Sequence, residues 1–178
     1  FRFGKNREGD IKKLKNNEKN YLYKTIITKP LKKDNKVLSS SYIRELLAKG
    51  ELQKANKFLG RSWSIEGKVV KGDMRGRKIG FPTCNIKLEN YILPKLGVYA
   101  VQLKVNKIFK KGIANIGYRP TFKGKIPLLE VNIFGLKANL YKKTLKVNFI
   151  KFIRKEKKFK NVRALKLQIK KDIIKAKN

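Results

Sequence analysis

The sequence predicts a mainly β domain, an antiparallel barrel or sandwich ending in a helix, preceded by a smaller α/β segment. Three observations lead to that class. From Ser64 onward, six short runs rich in β-branched and aromatic residues follow one another without intervening helices. The final residues carry apolar side chains at spacings of three and four. Residues 1–59 have a different texture, mixing helical and β-like pieces with too few strands for a sheet of their own. The expected organisation is therefore 1–59 and 60–178.

In chain order, Glu8 to Lys15 reads as a short helix and Tyr21 to Thr28 as a strand, with Pro30 to Lys36 a polar connection. Ser39-Ser40-Ser41 offers N-cap hydroxyls to a helix carrying Ile43, Leu46 and Leu47, stopped near Gly50. A second short helix, Leu52 to Leu59, ends at Gly60. The six strands are Ile65 to Val70, Thr83 to Leu88, Val98 to Val105, Ile108 to Ile116, Leu128 to Phe134 and Leu145 to Ile153. Asn106-Lys107 makes the tight turn between two of them. Asn115 to Phe122 is a Gly/Pro-punctuated loop with Arg119 at its tip. Asn161 caps the last helix, whose stripe of Val162, Leu165, Ile169, Ile173 and Ala176 is expected to pack on the barrel. Trp63, at the junction, reads as packing.

Composition narrows the function classes. At 178 residues and 41% apolar content, the chain can bury a sizeable core despite a formal charge of +35. Lysine is spread along the whole chain beside abundant Asn and Ile, a pattern of compositional bias rather than a dedicated nucleic-acid surface. No apolar run approaches the roughly 20 residues needed to span a bilayer, and residues 1–30 do not read as a signal peptide. The single cysteine, Cys84, and the absence of histidine oppose a disulfide or a zinc site, and fit a cytoplasmic location. Beginning at Phe1, the chain reads as part of a longer protein.

The chemistry centres on Gly72 to Asn85. Gly72, Gly76 and Gly80 punctuate a basic loop with Arg75, Arg77 and Lys78, matching neither the P-loop nor the dinucleotide-binding pattern. Such a loop alone is no more than a surface turn. It runs, however, into Phe81-Pro82-Thr83-Cys84-Asn85, where Pro82 favours extended geometry and places Thr83 and Asn85 at strand spacing on one face. A hydroxyl and an amide oxygen side by side suit Mg²⁺, which completes its shell with water and phosphate oxygens. Cys84 faces the other way and reads as a core side chain, since no histidine exists to activate it. Glu130 interrupts the apolar run Leu128 to Phe134, sharing a face with Asn132 and Phe134. Pattern alone leaves it equally a lysine partner or a catalytic base. Arg154-Lys155-Glu156-Lys157-Lys158-Phe159 reads by composition as a solvated turn.

Taken together, these residues resemble the bacterial riboflavin kinase family, the C-terminal module of bifunctional riboflavin kinase/FAD synthetases. The likeness runs almost continuously from Gly60 to Ala176. It includes Gly67-Lys68-Val69-Val70-Lys71-Gly72, Gly80-Phe81-Pro82-Thr83-Cys84-Asn85, Gly97-Val98-Tyr99-Ala100, Ala114-Asn115-Ile116-Gly117, Arg119-Pro120-Thr121-Phe122, Leu129-Glu130-Val131 and Arg154-x-Glu156-x-x-Phe159. The resemblance implies a six-stranded Greek-key barrel with a C-terminal helix. It implies transfer of the γ-phosphate of MgATP to the ribityl 5′-hydroxyl of riboflavin. It assigns ATP binding to Gly72, Arg75, Arg77, Thr83 and Asn85, with Mg²⁺ on Thr83 and Asn85. Glu130 becomes the base, and Arg154 and Phe159 the flavin contacts. Cys84 stands where an Ala is usual, and Asn132 where a His is frequent.

Phe1-Arg2-Phe3-Gly4-x-x-Arg7-x-Gly9-Asp10 and Ser39-Ser40-Ser41-x-Ile43-Arg44 resemble the tail of that family's FMN adenylyltransferase domain, with Ser40 and Arg44 the residues carried over from its ATP site. The His-x-Gly-His motif is missing, so adenylylation of FMN to FAD is expected of a full-length parent and not of this chain. The expected partners are riboflavin and ATP, with no specific nucleic acid, no membrane, and a monomer as the default. The competing class is a basic β-barrel that binds nucleic acid without catalysis.

Overall fold

The closing of the sheet follows from where the strands find partners. The computed structural model describes all residues except 34–35, 89–90, 122–123 and 137, so the Phe122 end of the 115–122 reading lies outside the described residues. It divides into two units, Phe1–Val37 and Leu38–Asn178.

In the first unit, a 3-10 turn at Lys5–Arg7 precedes helix α1 (Ile11–Asn16), and strands β1 (Lys32–Lys33) and β2 (Lys36–Val37) form a minimal hairpin. Asp10 caps α1 by accepting from the Lys13 N–H at 2.9 Å, so the helix begins two to three residues later than read from the sequence. Tyr21 to Thr28 forms no strand. Among the described residues its β propensity finds no neighbouring strand to pair with; instead the Tyr23 hydroxyl donates to the Leu14 carbonyl at 2.5 Å and the Thr25 N–H to Glu18 at 2.7 Å. Propensity without a partner does not make a sheet.

The second unit opens with α2 (Ser40–Lys49) and α3 (Leu52–Leu59). Ser39 accepts from Tyr42 N–H, and Gly50 and Gly60 end the helices in left-handed geometry, φ 78° and 66°. Then come β3 (Ser64–Val70), a single turn α4 (Arg75–Lys78), β4 (Cys84–Lys87), β5 (Gly97–Val105), β6 (Ile108–Thr121), β7 (Gly124–Ile133), β8 (Thr144–Arg154) and α5 (Val162–Lys177). β3 through β8 close into an antiparallel barrel in the order β3-β4-β7-β6-β5-β8. The meander β5-β6-β7 with β8 returning beside β5 is a Greek key.

Asn106 and Lys107 turn the β5–β6 hairpin with φ of 49° and 66°, both positive as a two-residue type I′ loop requires. The Gly/Pro-punctuated stretch 115–121 is not a loop. β6 continues to Thr121 and pairs with β7 out to Thr121↔Gly124. Once the two strands are in register, pairing outweighs the local turn signal, including at Pro120, which stands beside Lys125 near the hairpin tip.

The barrel interior holds Ile65, Ile86, Leu103, Ile116, Leu129, Val147 and Phe149, all with no exposed surface. Trp63 packs on Phe149 at 4.9 Å between ring centres, and Tyr99 stacks edge-on to Phe149 and Phe152, which bears out the packing role. Helices α2 and α3 join this core through Leu46, Leu47, Leu52 and Ala55. Asn56 of α3 is the bolt, donating to Phe149 O at 2.8 Å and accepting from Trp63 N–H at 2.7 Å. The structural unit thus begins upstream of the 59/60 division read from sequence. On α5, Leu165, Ile169 and Ile173 are half-buried, whereas Val162 is 54% exposed and lies off the packed stripe.

Candidate functional site

The strand register gathers three of the candidate residues, Asn85, Glu130 and Arg154, into one row around the barrel. Val70 of β3 stands opposite Asn85 of β4, Asn85 opposite Glu130 of β7, and Glu130 opposite Asn115 of β6. Asn115 stands opposite Val98 of β5, and Val98 opposite Arg154 of β8. The neighbouring row, Val69, Ile86, Leu129 and Ile116, is buried inside. By the alternation of strand side chains, the Asn85–Glu130–Asn115 row therefore points outward. Glu130 itself is solvent-exposed.

Two coverings flank this row. On one side the basic glycine loop folds back on its stem, with Phe81 N–H donating to Gly76 O at 2.8 Å. Gly72 lies against Asn85 so closely that a Cβ there would come within 1.6 Å of Asn85 Nδ2. At Gly76 it would meet Phe81 O at 2.4 Å and Thr83 Oγ1 at 3.3 Å. The loop is not irregular throughout, because residues 75–78 form α4. Arg75 is exposed and pairs with Asp73 at 3.4 Å. Arg77, with Thr83, lines a pocket of about 80 Å³ whose other walls include Val69, Val131 and Leu140.

Thr83 precedes β4, which starts at Cys84, and is exposed, whereas Asn85 is buried. The Asn85 Oδ1 is buried and, among the described residues, accepts no hydrogen bond. A buried orphan oxygen is costly unless something fills its lone pairs. With the Thr83 hydroxyl two residues away and the Gly72 backbone lying directly against the Asn85 side chain, the donor set fits a hard cation such as Mg²⁺. Cys84 is half-buried against the core and forms part of the pocket wall. Burial pushes its thiol up to about 11, which keeps it neutral and unreactive at physiological pH, as a core side chain should be.

Opposite the loop, residues 155–160 link β8 to α5. Asn115 Nδ2 donates to Glu156 Oε1 at 3.3 Å, and a Cβ on Gly117 would lie 2.1 Å from that same oxygen. Arg154 holds Asp172 of α5 at 2.7 Å and has its guanidinium carbon 5.8 Å from the Phe159 ring centre. The structure thus brings Gly72, Thr83 and Asn85 together at one end of the row and Arg154 with Phe159 at the other. Ser40 and Arg44 lie on the exposed side of α2, where Arg44 donates to Ser41 Oγ.

Three residues that pattern reading does not single out hold these pieces in place. Asn132, two positions from Glu130, donates to Pro82 O at 2.6 Å and pins the start of the Thr83–Asn85 segment. Asn115 ties Glu156 to the row, and Asp172 takes the charge of Arg154. The sequence signals were faint: a polar residue two positions from a candidate base on a strand, and an acid within an otherwise basic helix.

A family model described as "Flavokinase: Riboflavin kinase" matches residues 59–178. A "Bifunctional riboflavin kinase/FMN adenylyltransferase" of Bacillus subtilis (strain 168) is 42% identical over 176 residues, 97% of this chain and 55% of the relative. The protein of the same description from Haemophilus influenzae is 41% identical over 179 residues, 99% of this chain and 58% of the relative. The chain therefore spans little more than half the length of these curated relatives. A solved structure described as a "Macrolide-efflux Protein from Streptococcus pneumoniae" superposes with a TM-score of 0.88 at 32% identity, covering 100% of this chain and 58% of that one. Among the described residues, no helix is long and apolar enough to cross a membrane.

Proposed function

The chain belongs to the riboflavin kinase family, and from that premise we propose that it transfers the γ-phosphoryl group of ATP to the ribityl 5′-hydroxyl of riboflavin, giving FMN and ADP. One observation carries the reading: Glu130 stands in register between Asn85 on one side and Asn115 on the other. The nucleotide end lies at Asn85, Thr83 and the glycine loop. The flavin end lies at Arg154 and Phe159. Arg154 is three strands from Glu130, on the order of 14 Å along the sheet at the usual strand spacing, a span suited to a tricyclic ring plus an extended ribityl chain.

Thr83 and Asn85 would hold Mg²⁺. When bound, that ion supplies charge neutralisation at the phosphate oxygens and helps fix their position. The chain's own residues do the rest. The backbone at Gly72 and Gly76 approaches the phosphates as no larger residue could, and Arg75 and Arg77 offset their negative charge. Glu130 accepts the proton of the attacking hydroxyl and orients its lone pair in line with the phosphoryl group. The high positive charge of the whole chain draws polyanionic nucleotide toward the site. A cytoplasmic setting, where both substrates occur, is part of the same proposal.

Incubation with riboflavin, ATP and Mg²⁺, followed by chromatographic separation of flavins, tests it. FMN and ADP should appear in equal amounts, with no FAD. A demonstrably folded sample that makes no FMN overturns the reading. Gly72→Ala should retain the fold but lower kcat/KM for ATP by about a hundredfold, the scale expected when a positioned group is displaced by an ångström. The same variant should leave riboflavin affinity unchanged, which direct titration checks.

A further inference from the structure

The most deeply buried ionisable side chain of α5 is Asp172, 1% exposed. A carboxylate withdrawn from water is tolerated only when its oxygens are fully engaged. Here they are. Arg154 Nε donates to Oδ1 at 3.1 Å and to Oδ2 at 2.9 Å, Arg154 Nη2 meets Oδ2 at 2.7 Å, and Gln168 Nε2 donates to Oδ1 at 2.9 Å. The third guanidinium nitrogen, Nη1, donates to the Lys155 carbonyl at 2.9 Å. Each guanidinium nitrogen of Arg154 thus has a partner within the chain, through three of its five N–H groups.

That occupancy changes what Arg154 can do for a flavin. A guanidinium held by a bidentate carboxylate is a fixed, charge-compensated plate rather than a free cation. Its carbon lies 5.8 Å from the Phe159 ring centre, within cation–π range. The same segment is tied to β6 by the Asn115–Glu156 hydrogen bond. Phe159 is half-buried, held by its neighbour and still partly open to solvent.

We propose that Asp172 is a positioning residue for the acceptor end of the site. Through Arg154 it fixes Phe159 and the backbone at Lys155, setting an aromatic platform for the planar ring system. Arg154 acts by holding that platform, not by pairing ionically with the substrate. This inference rests on the riboflavin kinase reading and adds to it a residue distant in sequence from the row that carries the chemistry.

The test uses the full chain, with riboflavin binding followed by quenching of flavin fluorescence and KM measured for each substrate. Asp172→Asn keeps the shape but removes the charge, and should weaken riboflavin binding by about tenfold while KM for ATP stays within about twofold. A second variant separates positioning from mere anchoring of α5. Replacing both partners by apolar residues, Arg154→Met with Asp172→Leu, removes the penalty of an unpaired buried charge and should restore thermal stability. Riboflavin binding should nonetheless stay about tenfold weaker, because the plate beside Phe159 is gone. If the apolar pair recovers riboflavin affinity along with stability, the role is structural and the proposal falls. It falls too if Asp172→Asn leaves riboflavin affinity unchanged or weakens both substrates equally. Should Asp172→Asn fail to fold, the apolar pair decides alone. A wild-type chain that does not bind riboflavin overturns the kinase reading and this inference with it; a binding wild type beside an unaffected variant overturns this inference only.

Discussion

Glu130→Gln should reduce FMN formation by about a thousandfold, within the range general bases contribute, while leaving nucleotide affinity within about twofold. Glutamine keeps the size and the hydrogen-bonding reach of the side chain but cannot take up the hydroxyl proton. Because Glu130 is solvent-exposed on the outer row and lies outside the buried core, the near-isosteric substitution should leave the fold intact. Single-turnover measurement of FMN formation gives the rate, and titration with a non-hydrolysable ATP analogue gives the affinity. Wild-type rates in the variant would remove Glu130 from the role of base. Loss of nucleotide affinity together with rate would make it a structural support for the Asn85 end instead.

Removing residues 1–37 should leave a folded, active kinase, whereas removing residues 1–59 should abolish folding. The second deletion takes away Leu46, Leu47 and Leu52, each no more than 3% exposed, and Ala55, fully buried. Each buried leucine reduced to alanine costs about 2–5 kcal/mol, so three together rival the whole stability of a domain, about 5–15 kcal/mol. The deletion also leaves the Trp63 N–H and the Phe149 carbonyl without the Asn56 side chain that joins them. Circular dichroism melting and the FMN assay on the two shortened chains read the outcome. A stable, active 60–178 fragment would show that the barrel closes its own core and that α2 and α3 are dispensable.

The family match at residues 59–178 and the compact unit starting at Leu38 differ for a physical reason. A family is traced by the residues its chemistry shares. A structural unit is bounded by where apolar side chains find cover.

Elements whose signals are local were legible from the chain itself. Ser39 and Asn161 cap helices through their own side chains, and Asn106-Lys107 adopts the positive φ its turn needs. Tyr21 to Thr28 and the 115–121 stretch went the other way, because a strand exists only where another strand pairs with it. The first has no partner among the described residues; the second has β7 along its whole length. In the site, Thr83, Asn85 and Glu130 stood out because each breaks an expected pattern within a few residues. Asn132 could not, since its partner Pro82 lies 50 positions away. Asp172 was likewise invisible as a partner for Arg154, 18 positions earlier, because one acid in a lysine-rich helix looks like solvent-facing charge.

By itself, then, the sequence determined the inventory: six strands, the capped helices, a glycine-hinged basic loop, an oxygen-donor pair, and an acid set in an apolar strand. Backbone propensities and residues a few positions apart suffice for those. The tertiary structure alone decided adjacency. Barrel closure put Asn85, Glu130, Asn115 and Arg154 in one row, and packing of α5 buried Asp172 against Arg154. Register and burial arise from contacts between distant segments, and no local pattern encodes which charge will find which partner.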